Sequence, residues 1–472
     1  MQTRRDLYQA HKLMMQRVGL ALLQGEPDIP ESPMRRLSVA AFSGAMVAVL
    51  IGAIFGVWGL LSPGGAQGLD SGDKIIIEKE TGTKYVYDTN GKRMLPVLNY
   101  ASAKLALNAT NPEQRVVSRK SLAKFVRGPM IGIPGAPDSL PDPDHLVKKP
   151  WSVCVRNGST KTGGTGSVSS LVAGRDVGGK NIGRNQAVAV QSAGQIYVVW
   201  HNQRMRMTLP PTQAVSITHG QPTQVSQTWL SPIEQGADFA PPHVLNRGVR
   251  MRNVSPTARV GQVYRASFGG ATNWYVLLQD GFARISDTQG WLLLAEPAAT
   301  VAYPGQQAVP LSTTVATANS LQSSKNVFDP RLPPTLPNFV PWDGSTPLCY
   351  VYAHSDQGST TAQLTIGGSL PNAPAGGSQG TTVDQVVLPP GGAALVGVLP
   401  GEGQLNAINN WFIVNDAGIS FPLASKDTVQ KLGYDVKNAA PVPKQVMALI
   451  PTGPLLDPKA ATNPVPAPTA HG

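Results

Sequence analysis

Hydrophobic and polar positions divide the chain sharply. Residues 37–61 contain no charged side chain, and the charge-free run continues to Leu69. About 20 apolar residues cross a ~30 Å hydrocarbon core as a helix, so this run predicts a transmembrane helix with a few residues to spare. A buried core helix seldom runs so long without a charge. A cleaved signal peptide has a short charged region and an apolar core of about 7–15 residues. Here 36 residues precede a longer core, and no small-x-small exit site follows. The pattern reads as a permanent single-pass anchor that parts a short piece, residues 1–36, from a long one. In the short piece, Leu7, Ala10, Met14, Val18 and Ala21 recur every three or four positions, which predicts an amphipathic helix over 4–24. Arg5, Lys12 and Arg17 add basic character away from that stripe, and Gly25 and Pro27 stop it. A lone helix of this length is marginal in water, so the stripe asks for a membrane surface or a cytosolic partner.

After a linker over 62–73, which opens with Ser62-Pro63-Gly64-Gly65, short alternating runs and turns take over. Residues 74–94 read as three strands with turns at Thr81-Gly82 and Asn90-Gly91, and a helical stretch follows at 100–107. Asn-Gly between alternating runs is a strong hairpin signal. The same order recurs three times. Runs 186–190 and 195–200 flank a Ser-Ala-Gly turn, ahead of 204–208 and a helical 212–217. Runs 262–268 and 274–278 flank Gly269-Gly270, Asp280-Gly281 leads into 282–285, and 288–294 is the helix. Run 411–414 turns at Asp416-Ala417-Gly418 into 419–421, and 426–432 is the helix. This predicts four degenerate hairpin-plus-helix repeats at about 74–110, 186–220, 260–297 and 405–436. The competing reading is that short hairpins look alike by chance in any Gly-rich β protein. The remaining segments of 74–457 are expected to form a central β domain, with Gly/Ser loops at 158–166 and 371–381. The Ala/Pro/Thr-rich residues 458–472 are expected to be a disordered tail.

Composition supports the strand-and-turn reading: Gly 49, Pro 42 and only 14% charged residues. Charge sets the orientation. Arg4, Arg5, Lys12, Arg17, Arg35 and Arg36 precede the anchor, and no Lys or Arg follows it until Lys74. The positive-inside tendency puts the amino terminus in the cytoplasm and the long piece outside. The fold class is therefore a single-pass membrane protein with a β-rich α+β extracytoplasmic region. The net charge is +11, of which +9 falls beyond residue 69, and it looks thinly spread. No dense Lys/Arg block with interleaved aromatics stands out, as a nucleic-acid surface would require. A solvated basic surface is the simpler reading, with weak attraction to anionic wall polymers or lipid headgroups as the alternative. Cys154 and Cys349 are the two cysteines. Outside the cell they either form a disulfide or sit as two buried free thiols. A bond between them would close a loop of nearly 200 residues, worth roughly 5 kcal/mol in the chain-entropy model.

Candidate chemistry is sparse. There is no G-x-x-x-x-G-K-[ST] phosphate loop and no H-E-x-x-H zinc motif. Gly163-Gly164-Thr165-Gly166 lacks the lysine and a preceding strand. Gly376-Gly377-Ser378-Gln379-Gly380 matches G-x-S-x-G, but it lacks the strand and helix a nucleophile elbow needs. His11, His145, His201, His219, His243, His354 and His471 are scattered, none at ligand spacing from another His, Cys or carboxylate. No cofactor or metal is expected.

Several short patterns, in order around one anchor, give the chain a family resemblance. Arg5-Asp6-Leu7-Tyr8-Gln9-Ala10, residues 17–26 and Ser32-Pro33-Met34-Arg35-Arg36 lie before the anchor. Gly132-Ile133-Pro134-Gly135-Ala136-Pro137, Trp151-x-x-Cys154, Cys349 and a closing stretch from Pro441-Val442-Pro443 to Pro451-Thr452-Gly453-Pro454-Leu455 lie after it. Together they resemble the EccB family, a membrane component of the actinobacterial type VII (ESX-like) secretion machinery. The resemblance implies a central β domain with four related repeat domains and a disulfide between Cys154 and Cys349. It implies EccC, EccD and EccE components and a nearby MycP-type protease as partners, in an inner-membrane assembly with self-association of the outer domains. Weak ATPase activity has been attributed to the family, and this sequence shows no motif for it. The expected role is a non-catalytic structural subunit that anchors and assembles the channel through its transmembrane helix and an elongated outer domain. The rivals are a membrane-tethered cell-wall-binding module and, disfavoured by the missing phosphate loop, a nucleotide hydrolase.

Overall fold

The computed structural model describes residues 3–24, 33–61, 68–107, 109–159, 164–371 and 381–466. The chain forms two compact units, Met1–Leu69 and Asp70–Gly472. In the first, helix α1 spans Arg4–Gln24 and helix α2 spans Pro33–Leu61. Thr3 opens α1: its N–H and its hydroxyl both donate to Asp6 Oδ2, at 3.2 and 2.6 Å, so the acid of the first turn reaches back to close the helix start. Leu7, Met14 and Val18 are 66%, 69% and 50% exposed, so the stripe has no cover among the described residues. Within α2, Arg36–Trp58 is long and apolar enough to cross a membrane, and none of it is buried inside the protein. Its 23 residues rise about 35 Å at 1.5 Å each. Gly25, Pro27, Ser32 and the linker over 62–67 lie outside the described residues.

The second unit is β-rich. Its first sheet begins with strands Lys74–Glu78, Lys84–Asp88 and Arg93–Val97, paired antiparallel in sequence order. Helix α3, Tyr100–Ala106, follows, and strand Glu113–Val117 then returns parallel to the first strand, with Ile75 beside Gln114. The period-2 pattern explains the packing: Ile75, Val86 and Val97 share a core with Ala103 and Leu107. After a short helix, Arg119–Leu122, the chain passes along the far edge, where Arg127 bridges Met94 and Ile131 bridges Val97, both parallel.

Three further sheets follow the same path. In the second, Gln186–Ser192, Gln195–Trp200 and Gln203–Arg206 precede helix Pro211–Thr218, and Thr223–Gln224 returns parallel to the first strand. In the third, Val263–Phe268, Ala271–Leu278 and Gly281–Ile285 precede helix Asp287–Ala295, and Leu311–Ser312 returns. In the fourth, Ala393–Leu399, Trp411–Asn415 and Ser420–Leu423 precede helix Lys426–Lys431, and Ala440–Pro443 returns. Each then has a short helix and a parallel contact on its third strand, at Glu234–Gln235, Gln322, and Thr452 with Leu456. Local capping starts the helices: Ser286 and Gln289 form a complete capping box, and Ser425 accepts from Thr428 N–H.

A fifth sheet lies among these, in the order Gln385–Val387, Thr165–Ala173, Trp151–Ser159, Leu348–Tyr352, Gln363–Ile366, Lys180–Asn181. Cys154 and Cys349 face each other across its two middle strands and are joined by a disulfide. Both faces are covered. Trp151, Val153, Val155, Leu348 and Tyr350 join one core with Val188, Val199 and Trp229 of the second sheet region and Val396, Val414 and Val442 of the fourth sheet. Cys154, Val172, Val177 and Cys349 form a smaller core on the other face.

The expected repeat boundaries differ from these sheets. The segments left over for a central domain at 113–131, 223–239, 311–322 and 440–456 instead complete the four hairpin sheets. The fourth sheet starts at Ala393, not near 405. Residues 458–466, expected to begin a disordered tail, open with helix Pro458–Ala461, whose Ala461 is fully buried. The rest of that tail, and most of the loop expected at 371–381, lie outside the described residues.

The disulfide spans 195 residues, so its removal should act mainly through the unfolded chain. Replacing both Cys154 and Cys349 by Ala is expected to lower the unfolding free energy by about 2–5 kcal/mol while the folded circular-dichroism spectrum persists. Urea titration of oxidised and substituted protein measures this, and an unchanged midpoint would contradict it.

Candidate functional site

The family-like loop at 132–137 is built onto the start of α3. Helices begin with N–H groups that have no partner in their own turn. Here Tyr100 N–H donates to Asp138 Oδ1 at 3.0 Å and Ala101 N–H to the Pro137 carbonyl at 3.1 Å. Ser102 N–H donates to the cap, Asn99 Oδ1, at 3.0 Å. The cap's own amide donates to the Ile133 carbonyl at 2.8 Å, and Ile133 N–H donates to Ser102 Oγ at 2.9 Å. Asn99 and Ser102 are both buried, so these bonds replace water that cannot reach them. The loop therefore closes the helix start, and the helix start shapes the loop.

Two glycines permit that path. Gly132 has φ +135°, and a Cβ there would lie 3.0 Å from Leu98 Cβ and 3.2 Å from Ser102 Oγ. Gly135 has φ +78°, with Pro454 no nearer than 3.7 Å. Pro134 is exposed and Pro137 buried. On its other side the loop meets the end of the outer unit. Gly132 N–H donates to the Asn463 carbonyl at 3.2 Å, Val465 N–H donates to the Met130 carbonyl at 2.8 Å, and Ile131 bridges Pro464. Ala101, Leu105, Ile133 and Ala136 share one core with Leu423, Leu432, Leu456 and Ala461. Gly453 of the closing stretch packs so tightly that a Cβ would lie 2.5 Å from Phe421 Cε1. Lys104 Nζ donates to the Leu432 carbonyl at 2.8 Å. Burial pushes its ammonium below the usual lysine range, and Asp142 opposes that. Tyr434 donates to the Pro141 carbonyl at 2.7 Å, and burial pushes its phenol up. The arrangement is a clasp between the first sheet and the last.

Gly132, Pro134, Gly135 and Pro137 thus stand together. Trp151, Cys154 and Cys349 do not join them: they belong to the central sheet, where Trp151 is fully buried and its indole N–H donates to the Lys148 carbonyl. Arg36 opens the apolar run of α2, and the side chain of Arg35 lies outside the described ones. Asn99, Ser102, Lys104 and Asp138 were missed by sequence reasoning. Only the Asn-x-x-Ser start of α3 carried a local signal, that of a helix cap.

Two clefts, of about 260 and 630 Å³, open on the outer unit. In the smaller, the His201 ring stacks on Trp200 at 3.9 Å and its Nε2 lies 3.1 Å from the Arg184 carbonyl. In the larger, Asp238 pairs with Arg206 and Asp329 with Arg331. Among the described residues no group of three His, Cys, Asp or Glu side chains is placed to hold a metal ion. Residues 376–380 and His471 lie outside the described residues.

A family described as "Type VII secretion system ESX-1, transport TM domain B" matches residues 1–465. The chain is 26% identical to the ESX-2 secretion system ATPase EccB2 of Mycobacterium tuberculosis (strain ATCC 25618 / H37Rv), over 97% of this chain and 94% of that protein. It is 25% identical to the ESX-1 secretion system ATPase EccB1 of Mycolicibacterium smegmatis (strain MKD8), over 95% and 92%. Its fold is shared with a chain in the structure of an intact ESX-5 inner membrane complex, with TM-score 0.61, 22% identity and coverage of 100% and 98%. It is also shared with a chain of the EccB3 dimer from the ESX-3 core complex, with TM-score 0.60, 21% identity and coverage of 83% and 100%.

The clasp gives an ordered pair of mutational effects. Gly132→Ala adds both a clash and a backbone conformation suited to glycine, and should cost about 3 kcal/mol. Gly135→Ala meets only the backbone penalty and should cost about 1–2 kcal/mol. Denaturant titration of the two variants checks the order, and equal losses would contradict it.

Proposed function

The chain belongs to the EccB family of type VII secretion membrane components, and from that premise we propose that it is a structural, non-catalytic subunit of such an inner-membrane complex. The observation that carries this is the family match over residues 1–465, which takes in the amino-terminal helix, the anchor and the outer sheets together. The basic residues before the apolar run of α2, with none after it until Lys74, support a cytoplasmic amino terminus and an extracytoplasmic bulk.

Each part has a packing role in this reading. The exposed stripe of α1 docks on cytosolic surfaces of EccC, EccD or EccE components. In α2, Ala40, Gly44, Ala48, Gly52 and Gly56 recur every four residues. A Cβ at Gly44, Gly52 or Gly56 would meet nothing within 4 Å, and such stripes let neighbouring membrane helices approach closely. The four sheets with one chain path are copies of a single repeated unit set around the disulfide sheet. The outer region associates with further copies of itself, a reading supported by the existence of an EccB3 dimer in the ESX-3 core complex, and stands near a MycP-type protease.

The relatives' printed name, ATPase, favours a second reading. Against it stands the missing phosphate loop, and in the larger cleft Asp238 and Asp329 are already paired with Arg206 and Arg331. Steady-state measurement on highly purified full-length protein should give nucleotide hydrolysis no faster than buffer. Turnover that co-purifies with the chain through several columns would establish the enzymatic reading instead.

Removing residues 1–36 is expected to release the subunit from its EccC, EccD and EccE partners while the disulfide still forms and the outer unit stays folded. Affinity purification from membranes reads this, and retention of the partners would contradict the docking role of α1.

A further inference from the structure

The positive charge beyond the anchor is not evenly spread. Residues 74–131, the first sheet and its edges, hold eleven Lys and Arg against four Asp and Glu, a net of +7 in 58 residues. Residues 132–472 carry +4 in 341. The acids interleaved along the sequence hide this.

The first sheet has two faces with different fates. The α3 face is occupied, since α3 and its signature loop pack against the last sheet. The opposite face carries the segment after the return strand. Phe125 stands edge-on to Tyr87 at 5.8 Å, Arg127 lies over the Tyr85 ring, and Arg119 Nε donates to Glu78 Oε1 at 2.7 Å. The register puts Arg115 beside Ile76, on this same face. The cations here are Lys74, Arg115, Arg119, Lys120, Lys124 and Arg127. The acids are Glu78, paired with Arg119, Glu113, paired with Arg115 and Lys74, and Glu80, which accepts from Arg119 N–H. Lys120, Lys124 and Arg127 are exposed, and Val126 among them is 69% exposed. An apolar side chain set among exposed cations suits the boundary between headgroups and acyl chains.

We propose that this face, centred on residues 119–127, rests against the anionic headgroups of the bilayer that α2 crosses. This rests on the reading of α2 as the membrane anchor. The tether allows it: α2 ends at Leu61 and the sheet starts at Lys74, so the connecting chain reaches about 45 Å at most. The most basic part of the outer unit is thus the part covalently held nearest the membrane. The surface would hold the outer unit to the bilayer and make that hold depend on lipid charge.

The test uses full-length protein in nanodiscs of phosphatidylcholine alone or with about one-third phosphatidylglycerol, read by amide hydrogen exchange of peptides covering 119–128. Each cation near an anionic surface strengthens association about five-fold, so protection there should be at least about ten-fold greater in the anionic discs. Roughly 0.5 M salt, which shortens the Debye length to a few ångströms, should remove the difference. The variant K120E/K124E/R127E should lose the lipid dependence, and the milder K120Q/K124Q should reduce it, with exchange of the central sheet unchanged in both. Equal exchange in the two lipids would overturn the proposal. So would protection that appears only when wall polymer is added, or protection that survives charge reversal. Failure to enter either bilayer would contradict the anchor itself and this surface with it, whereas insertion without protection would sink this surface alone.

Discussion

Two strands 195 residues apart at their cysteines, Trp151–Ser159 and Leu348–Tyr352, lie side by side in the middle of the outer unit. The rest of that unit presupposes this pairing. The second and third sheets are inserted between the two strands, so they fold as excursions whose ends must meet. The pairing is non-local and entropically expensive to find. It is secured by burial on both faces and by the disulfide between Cys154 and Cys349. The Tyr350 ring packs tilted against Trp229, centroids 5.0 Å apart, and the Trp229 indole donates to the Val153 carbonyl. The second sheet region is thereby fixed to the central one by side chains as well as by backbone.

A second closure ties the ends of the same unit. The start of α3 needs partners for its N–H groups, and the loop at 132–138 supplies them while pairing with residues near 463–465. The first sheet, which is the one tethered to the anchor, is therefore held rigidly to the last. This assigns the two faces of the first sheet different work. One is spent on cohesion, and the other remains for a surface outside the chain.

Much of this was legible in the residues, for definite physical reasons. The anchor was plain because hydrocarbon tolerates no charge over its whole thickness, and residues 37–61 carry none. The hairpins were plain because their turns are local: Gly269 and Gly270 both take positive φ, and Asp88 accepts from Asn90 and Gly91 N–H, with Lys92 as the left-handed residue. The return strands were missed because Thr223–Gln224 and Leu311–Ser312 are two residues long and show no alternation. Ala461 was misjudged because its burial is created by α3, more than three hundred residues away. The signature loop could be recognised by resemblance, but not understood. Its glycines matter through Leu98 and Ser102, and those contacts have no trace in local pattern. The charge looked diffuse because acids are interleaved with the bases, although residues 74–131 alone carry +7.

The most direct measurement of the central claim is the mass and composition of the particle isolated by an affinity tag on the full chain, from membranes of a cell that carries its native neighbours. A structural subunit should emerge in a particle several times its own 49.7 kDa. That particle should hold more than one copy of the chain and an EccC component at a ratio that stays fixed across the column. A lone 49.7 kDa chain in its detergent belt, with no partner at fixed ratio, would contradict it.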